Sequence, residues 1–273
     1  MRTTLICNPQ SGGGTDAEGT ADALRKRGMD IVETAHSPQE ARAEAVERIV
    51  AVGGDGTLAP AAKLAADRGV PLSVIPGGTA NDFARAMDIP LDPADAVACA
   101  AAGDRRRELE LAFMDGRPFL NAASAGLSPA AARRAAPFKR RLGPLAYAAG
   151  GVLAGLREHP ITCAVTVDDR AVFAGDAWQI TVAATGAFGG GAEIGQADPH
   201  DGLLDVVVVP AGPRAKLPLV GVQLRRGTLT GERGDDIVVH VPEGTAFNVD
   251  GELVRAGGDV SFTARAAAFT LIG

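Results

Sequence analysis

The chain has 273 residues, 46% of them hydrophobic, with 27 Lys and Arg against 33 Asp and Glu for a formal charge of −6. That is enough apolar material for a substantial core, at a length near which one core becomes two domains. The acidic balance excludes a general nucleic-acid binder, which needs a basic field to meet phosphates.

In chain order, short apolar runs at Thr3–Cys7, Asp30–Thr34, Arg48–Val52 and Leu72–Ile75 predict strands. Helical patterns at Thr15–Arg27, Pro38–Val46 and Leu58–Arg68 separate them. This alternation predicts an α/β domain with a mostly parallel sheet, helices on both faces and a ligand crevice at the strand ends. Two further helices follow at Ala80–Met87 and Asp92–Ala102, the second capped by Asp92 with Pro93 in its first turn.

After Gly103 the period changes from helix to strand. Arg107–Phe113 and Arg117–Ala122 flank Met114-Asp115-Gly116 as a hairpin, and strand-like runs recur at Ile161–Val167, Ala171–Ala183, Leu203–Val209, Asp236–Val241 and Val260–Ala264. A helical stretch at Pro129–Leu156 interrupts this antiparallel domain.

Three glycine-rich turns follow predicted strands: Asn8 to Gly14, Val52 to Thr57 and Pro76 to Arg85. Glycines let backbone N–H groups converge and let a charged ligand approach without Cβ obstruction, so three such turns at strand ends predict a polyphosphate site. No Gly-x-x-x-x-Gly-Lys-Ser/Thr is present, which argues against a P-loop. Gly12-Gly13-Gly14-Thr15-Asp16-Ala17 fits the dinucleotide pattern Gly-x-Gly-x-x-Ala, with Glu33 where a ribose-binding carboxylate would stand. Against that reading, four residues separate the strand from the glycines, and the other two turns stay unexplained.

Asn-Pro-x-Ser-Gly from Asn8, Gly-Gly-Asp-Gly-Thr at Gly53–Thr57, and Pro-x-Gly-Thr-x-Asn-Asp-Phe-Ala-Arg ending at Arg85 together resemble the diacylglycerol kinase catalytic family, which includes sphingosine and bacterial lipid kinases. Asn121-Ala122-Ala123-Ser124-Ala125-Gly126, Gly189-Gly190-Gly191, Asp198 to Asp205 and Asp250-Gly251-Glu252 resemble further blocks of that family, so the likeness spans nearly the whole chain. It implies a nucleotide domain over residues 1–105, a C-terminal β-sandwich over 106–265 that binds the acceptor, a last strand in 266–273 returning to the first domain, and an active site in the cleft between the two domains. The implied reaction is transfer of the γ-phosphate of ATP to a lipid hydroxyl with Mg²⁺. Relatives usually follow the Gly-Gly-Asp-Gly-Thr block with an apolar residue and Asn-Glu, whereas here Leu58 is followed by Ala59-Pro60.

Each requirement of phosphoryl transfer has a candidate. Gly53, Gly54, Gly56 and Thr57 offer amides and a hydroxyl to phosphates, and Asp55, the sole carboxylate of that turn, suits Mg²⁺; the alternative is that it caps the next helix. Gly78, Thr79 and Asn81 form a second wall, while Asp82 reads better as a helix cap. By resemblance, Asn8 and Thr34 also line the ATP pocket. Asp250-Gly251 alone reads as a hairpin turn; the resemblance makes Glu252 the proton acceptor, with Asp250 as its electrostatic partner. It also implies a structural Mg²⁺ held by Asp201 with the carbonyls of Asp198 and Leu203, for which a plain solvated turn is the alternative.

The acceptor is less legible. Arg133, Arg134, Lys139, Arg140 and Arg141 with Phe138 and Tyr147 suit transient contact with anionic lipid headgroups or a solvated helix equally. A catalytically silent nucleotide or lipid binder, and an NAD-kinase-like enzyme acting on a soluble acceptor, stay open as alternatives. Cys7, Cys99 and Cys163 are expected to be free buried thiols. No run approaches ~18 uncharged apolar residues, so a cytoplasmic protein that reaches membranes only at their surface is expected. The sequence leaves a homodimer open.

Overall fold

In the computed structural model, the structure describes residues 1–9, 16–130, 158–188, 192–193, 197–217 and 231–273. The first glycine run beyond Pro9, the basic cluster around Phe138 and Tyr147, and Gly189-Gly190-Gly191 lie outside the described residues, as does most of the helix expected over Pro129–Leu156. Two compact units divide the chain: Met1–Leu111 with Arg265–Gly273, and Ala112–Ala264. The division falls inside a strand rather than after residue 105, because the chain runs extended without a break from Arg106 to Met114.

The first unit alternates β1 (Arg2–Cys7), α1 (Ala17–Arg25), β2 (Asp30–Ala35), β3 (Arg48–Gly53), α2 (Asp55–Arg68), β4 (Leu72–Pro76), α3 (Asp82–Ala86) and α4 (Pro93–Ala102), before β5 (Arg106–Met114). Its sheet is parallel in the order β4-β3-β1-β2. Leu271 and Ile272 add a further parallel strand beside Leu72 and Ser73. The inner strands are buried on both faces, as crossover helices require: β3 is buried along its whole length. Leu5, Cys7, Val50 and Val52 pack with Leu24 of α1 and Ala96, Val97 and Ala100 of α4, and α2 packs against β3 and β4. Helix starts follow the sequence: Asp16 accepts the Gly19 amide at 2.9 Å, and Asp92 accepts those of Ala94 and Asp95, with Pro93 in the first turn.

The helix expected over Pro38–Val46 is absent; the segment is irregular. Its backbone finds partners in side chains instead. Glu33 accepts the amides of Arg42 (2.6 Å) and Ala43 (3.1 Å), and Arg68 donates to the carbonyls of Ala41 (3.0 Å) and Ala43 (3.1 Å). Those bonds remove the need for an i to i+4 ladder, and Ala45 adopts a left-handed φ of 52° that no α-helix contains.

The second unit is antiparallel. It holds the end of β5, β6 (Arg117–Phe119), β7 (Ala122–Gly126), β8 (Ile161–Val167), β9 (Arg170–Ala183), the short pair β10 (Ala187–Phe188) and β11 (Ala192–Glu193), β12 (Leu204–Pro210), β13 (Glu232–Gly234), β14 (Asp236–Val249) and most of β15 (Glu252–Ile272). Two runs read as ending at Val241 and beginning at Val260 belong to longer strands, β14 and β15. β14 pairs with β8 through Ile237–His240 and with β7 through Phe247–Val249, the change coming at an irregularity between Val241 and Thr245 where Gly244 takes φ 76°. One strand thereby serves two layers. The core between them is aliphatic around Phe119, Phe247 and Phe262, whose rings meet edge-on at 6.4 Å (Phe119–Phe262) and tilted at 6.2 Å (Phe247–Phe262).

Candidate functional site

In the first unit the parallel strands end at one edge, and there the second and third glycine turns meet. Gly77 N–H donates to Gly53 C=O at 2.8 Å. A Cβ on Gly78 would lie 2.6 Å from Gly54 Cα, and one on Gly54 would lie 3.1 Å from Gly78 Cα. The two turns therefore touch backbone to backbone, and neither position admits a side chain without displacing the other turn. Gly53 is equally closed, since a Cβ there would sit 2.7 Å from Thr57 Cβ. Asn8, just past β1, joins the same cluster: its N–H donates to Val52 C=O at 3.3 Å and its Nδ2 to Thr57 Oγ1 at 3.2 Å.

α2 begins at Asp55 with Gly54 as an N-cap in extended conformation and no side-chain cap. An α-helix provides no internal acceptor for its first amides, here Asp55 and Gly56, and its dipole puts partial positive charge at this end. The Asp55 side chain is committed beyond its own helix. Its carboxylate reaches across to α3 and accepts the amides of Asp82 (3.2 Å) and Phe83 (3.0 Å). Asp82 in turn is not the cap of α3, whose N-cap is Asn81 in left-handed conformation (φ 53°) without a side-chain cap bond. Asn81 instead closes the third turn on itself, Oδ1 accepting Gly78 N–H at 2.8 Å and Nδ2 donating to Gly78 C=O at 3.0 Å.

Asn8, Gly53, Gly54, Asp55, Thr57, Gly78 and Asn81 are thus drawn into one network, which Gly56 adjoins in the first turn of α2. Thr79 is exposed within the third turn, and Thr34 is exposed near the end of β2, beside Leu5 of β1. Glu33 is committed elsewhere. Burial alone would push its carboxyl up, but the Arg42 and Ala43 amides, the Thr4 hydroxyl and the charge of Arg68 together hold it below the usual range. A carboxylate clamping its own loop is not the ribose ligand of a dinucleotide site. Ala59 is buried in α2 and Pro60 lies inside that helix, which continues to Arg68.

In the second unit Asp250 and Gly251 have φ 47° and 88° and turn β14 into β15, with Val249 opposite Glu252. The Asp250 carboxylate accepts three amides, Leu120 at 2.7 Å, Asn121 at 3.0 Å and Ala122 at 3.1 Å, so it fastens this turn to the start of β7. Glu252 is half-exposed and ion-paired with Arg117 of β6, a residue the sequence reading missed.

The Asp198-to-Leu203 block carries its own partners. Asp198 accepts the ring Nδ1 of His200 at 2.8 Å, which, more than the His200 amide and nearby charges, holds its carboxyl below the usual range against the opposing pull of burial. Asp201 accepts Leu203 N–H on Oδ1 (2.9 Å) and Arg233 Nη2 on Oδ2 (2.5 Å). The same guanidinium donates through Nε to buried Asp205 at 3.1 Å. A divalent cation on Asp201 would have to share its carboxylate with a guanidinium, so the donor set as folded does not fit the structural Mg²⁺ expected there. Among the described residues no group of three or more His, Cys, Asp or Glu is placed to hold a metal ion, and no helix is long and apolar enough to cross a membrane.

Comparison with known proteins agrees with this geometry. Residues 2–112 match the profile of the diacylglycerol kinase catalytic domain, and residues 121–271 that of the YegS C-terminal NAD kinase beta sandwich-like domain. A probable lipid kinase YegS-like protein of Pseudomonas aeruginosa (strain UCBPP-PA14) is 31% identical over 92% of this chain and 87% of its own. A diacylglycerol kinase of Bacillus subtilis (strain 168) is 28% identical over 92% and 89%. A crystal structure of a Bacillus anthracis diacylglycerol kinase superposes with a TM-score of 0.78 at 23% identity, covering 99% of this chain and 96% of that one. An Archaeoglobus fulgidus NAD kinase solved with ATP gives 0.54 at 17%, covering 100% and 94%. The two-turn glycine edge, the antiparallel second unit and the extent of these matches lead to one assignment: the chain belongs to the diacylglycerol kinase catalytic domain family, in the branch that carries the YegS-type C-terminal domain.

Proposed function

We propose that the protein is a phosphotransferase that moves the γ-phosphate of ATP to a hydroxyl of a lipid such as diacylglycerol or a sphingoid base. The observation that carries this reading is the meeting of Gly53–Thr57, Gly78–Asn81 and Asn8 at the open ends of parallel strands. Backbone amides at the start of α2 face a phosphate with partial positive charge, and the glycines allow the approach that a Cβ would block. Relatives named lipid kinase and diacylglycerol kinase support the reaction class.

In this reaction the acceptor oxygen attacks the γ-phosphorus, the bond to the ADP oxygen breaks, and the hydroxyl proton passes to the Glu252 carboxylate. Arg117 holds that carboxylate in place. Asp55, fixed by the Asp82 and Phe83 amides, is the residue that would hold Mg²⁺ on the phosphates. When bound, the cation neutralises charge that builds on the transferring group. Asp250 positions the turn that carries Glu252 and is not itself a proton acceptor. The acceptor, being a lipid, would be met at a membrane surface.

The test is incubation with γ-labelled ATP, Mg²⁺ and parallel panels of diacylglycerol, sphingoid bases, NAD and polyols. Label in an organic-extractable product is the expected result. Label in NAD or a polyol moves the assignment to a soluble acceptor, and bound but unconsumed ATP makes the protein a sensor. Glu252→Gln should lower kcat at least ~100-fold with the melting midpoint unchanged. Unaltered turnover in that variant removes the base assignment.

A further inference from the structure

The family likeness puts a structural divalent cation at the Asp198-to-Leu203 block, yet the block is closed by a side chain from β13. We infer that the Arg233 guanidinium stands in for that cation, so the second unit of this protein is stabilised internally at a place where the family likeness implies Mg²⁺.

The geometry is that of a bridging cation. Arg233 lies opposite Asp205 in the β12–β13 ladder, donates Nε to Asp205 Oδ2 at 3.1 Å and Nη2 to Asp201 Oδ2 at 2.5 Å. A planar fork that meets two carboxylates at once supplies positive charge beside Asp201 as a bound cation would, without dehydration of an ion. Asp205 makes the need for positive charge concrete. Its side chain is 1% exposed, and a carboxylate buried to that extent needs a paired positive charge. Both Asp201 oxygens are engaged, one by Arg233 and one by the Leu203 amide, so an incoming Mg²⁺ would have to displace a covalently tethered charge that is always present at unit stoichiometry. The consequence is a protein whose fold ignores divalent cations and whose activity, on the reading above, needs Mg²⁺ only with the nucleotide.

Thermal melting without nucleotide tests this independently of any kinase activity. The wild-type midpoint in EDTA and in about 10 mM Mg²⁺ or Ca²⁺, at matched ionic strength, should agree to within about 1 °C. Arg233→Gln empties the seat and should lower the midpoint by roughly 5–15 °C in EDTA. In about 10 mM Mg²⁺ or Ca²⁺ it should regain several degrees, as a cation that binds only the folded state requires. A wild-type protein that gains several degrees with either ion, and loses that gain in Asp201→Asn, overturns the inference. So does a folded Arg233→Gln protein indifferent to both ions. The wild-type comparison needs no variant, so it stands even if Arg233→Gln fails to fold.

Discussion

Replacing Asp250 with alanine removes the acceptor of three amides at once, those of Leu120, Asn121 and Ala122. All three residues are buried, at 2%, 4% and 5% exposure, so their N–H groups have little access to replacement water. A buried donor left without a partner costs about 1–3 kcal/mol. Because the carboxylate itself is only partly buried and water can enter the space it leaves, the lower part of that range applies, about 3–5 kcal/mol for the set. At about 2–4 °C per kcal/mol for a unit of this size, the midpoint falls by roughly 6–20 °C. The chain's single tryptophan, Trp178, sits in the same unit, 6% exposed with its Nε1 donating to Gly212 C=O at 3.1 Å, so its fluorescence follows this unfolding alone. Asp250→Asn keeps one acceptor oxygen but turns an NH₂ toward an amide donor, and should recover about half of the loss. An Asp250→Ala protein that melts within about 2 °C of wild type would refute the clamp and return Asp250 to a purely electrostatic role beside Glu252.

The same logic applies in the first unit. Asp55→Ala should abolish phosphoryl transfer and also lower stability by about 2–4 kcal/mol, because it orphans the Asp82 and Phe83 amides, while Asp55→Asn should lose activity but keep part of that stability; calorimetry beside a turnover assay separates the two effects. Glu33, whose carboxyl is held below the usual range, contributes stability that is fully present above the ordinary glutamate value of about 4.3 and fades as pH falls through its lower folded-state value; the gap in midpoint between wild type and Glu33→Gln should therefore close on acidification below about pH 4.3. Burial first, with the charge of Asp176, pushes the Cys163 thiol up to about 11, and burial also raises Cys7, so a thiol reagent at about pH 8 should label neither in the folded protein and both after denaturation.

Local chemistry made much of the fold legible. Asp92-Pro93 and Asp16 start helices where their types predict, Asp250-Gly251 turns a hairpin, and the apolar runs of β1, β3 and β4 form a doubly covered parallel sheet. What sequence reading missed depends on partners distant along the chain. Residues 38–46 have helical composition, but Glu33 and Arg68 satisfy their backbone from either side, and no local pattern reveals that. The glycine turns at the strand ends were readable, whereas their mutual contact through Gly54 and Gly78 was not. Carboxylates were the hardest to assign. Asp55, Asp201 and Asp250 were each read for ligand chemistry or local turns, and each proved to accept hydrogen bonds that hold another segment: Phe83, Arg233 and Leu120 respectively. Arg117 and Arg233 carry no motif: Arg233 reaches Asp205 through the β12–β13 ladder, and Arg117 reaches Glu252 from β6, a strand that pairs with β5.

The pairing of Leu271 and Ile272 with β4 also bears on how the protein is made. On the ribosome, residues 72–76 emerge long before their neighbour, with the whole of Ala112–Ala264 translated in between. Until then the flank of β4 exposes unpaired amides and carbonyls, the surface on which nascent chains stick to one another. The second unit can therefore mature while the parallel sheet of the first still waits for Leu271 and Ile272; removing those two residues would spare the former and leave the latter with an open, aggregation-prone edge.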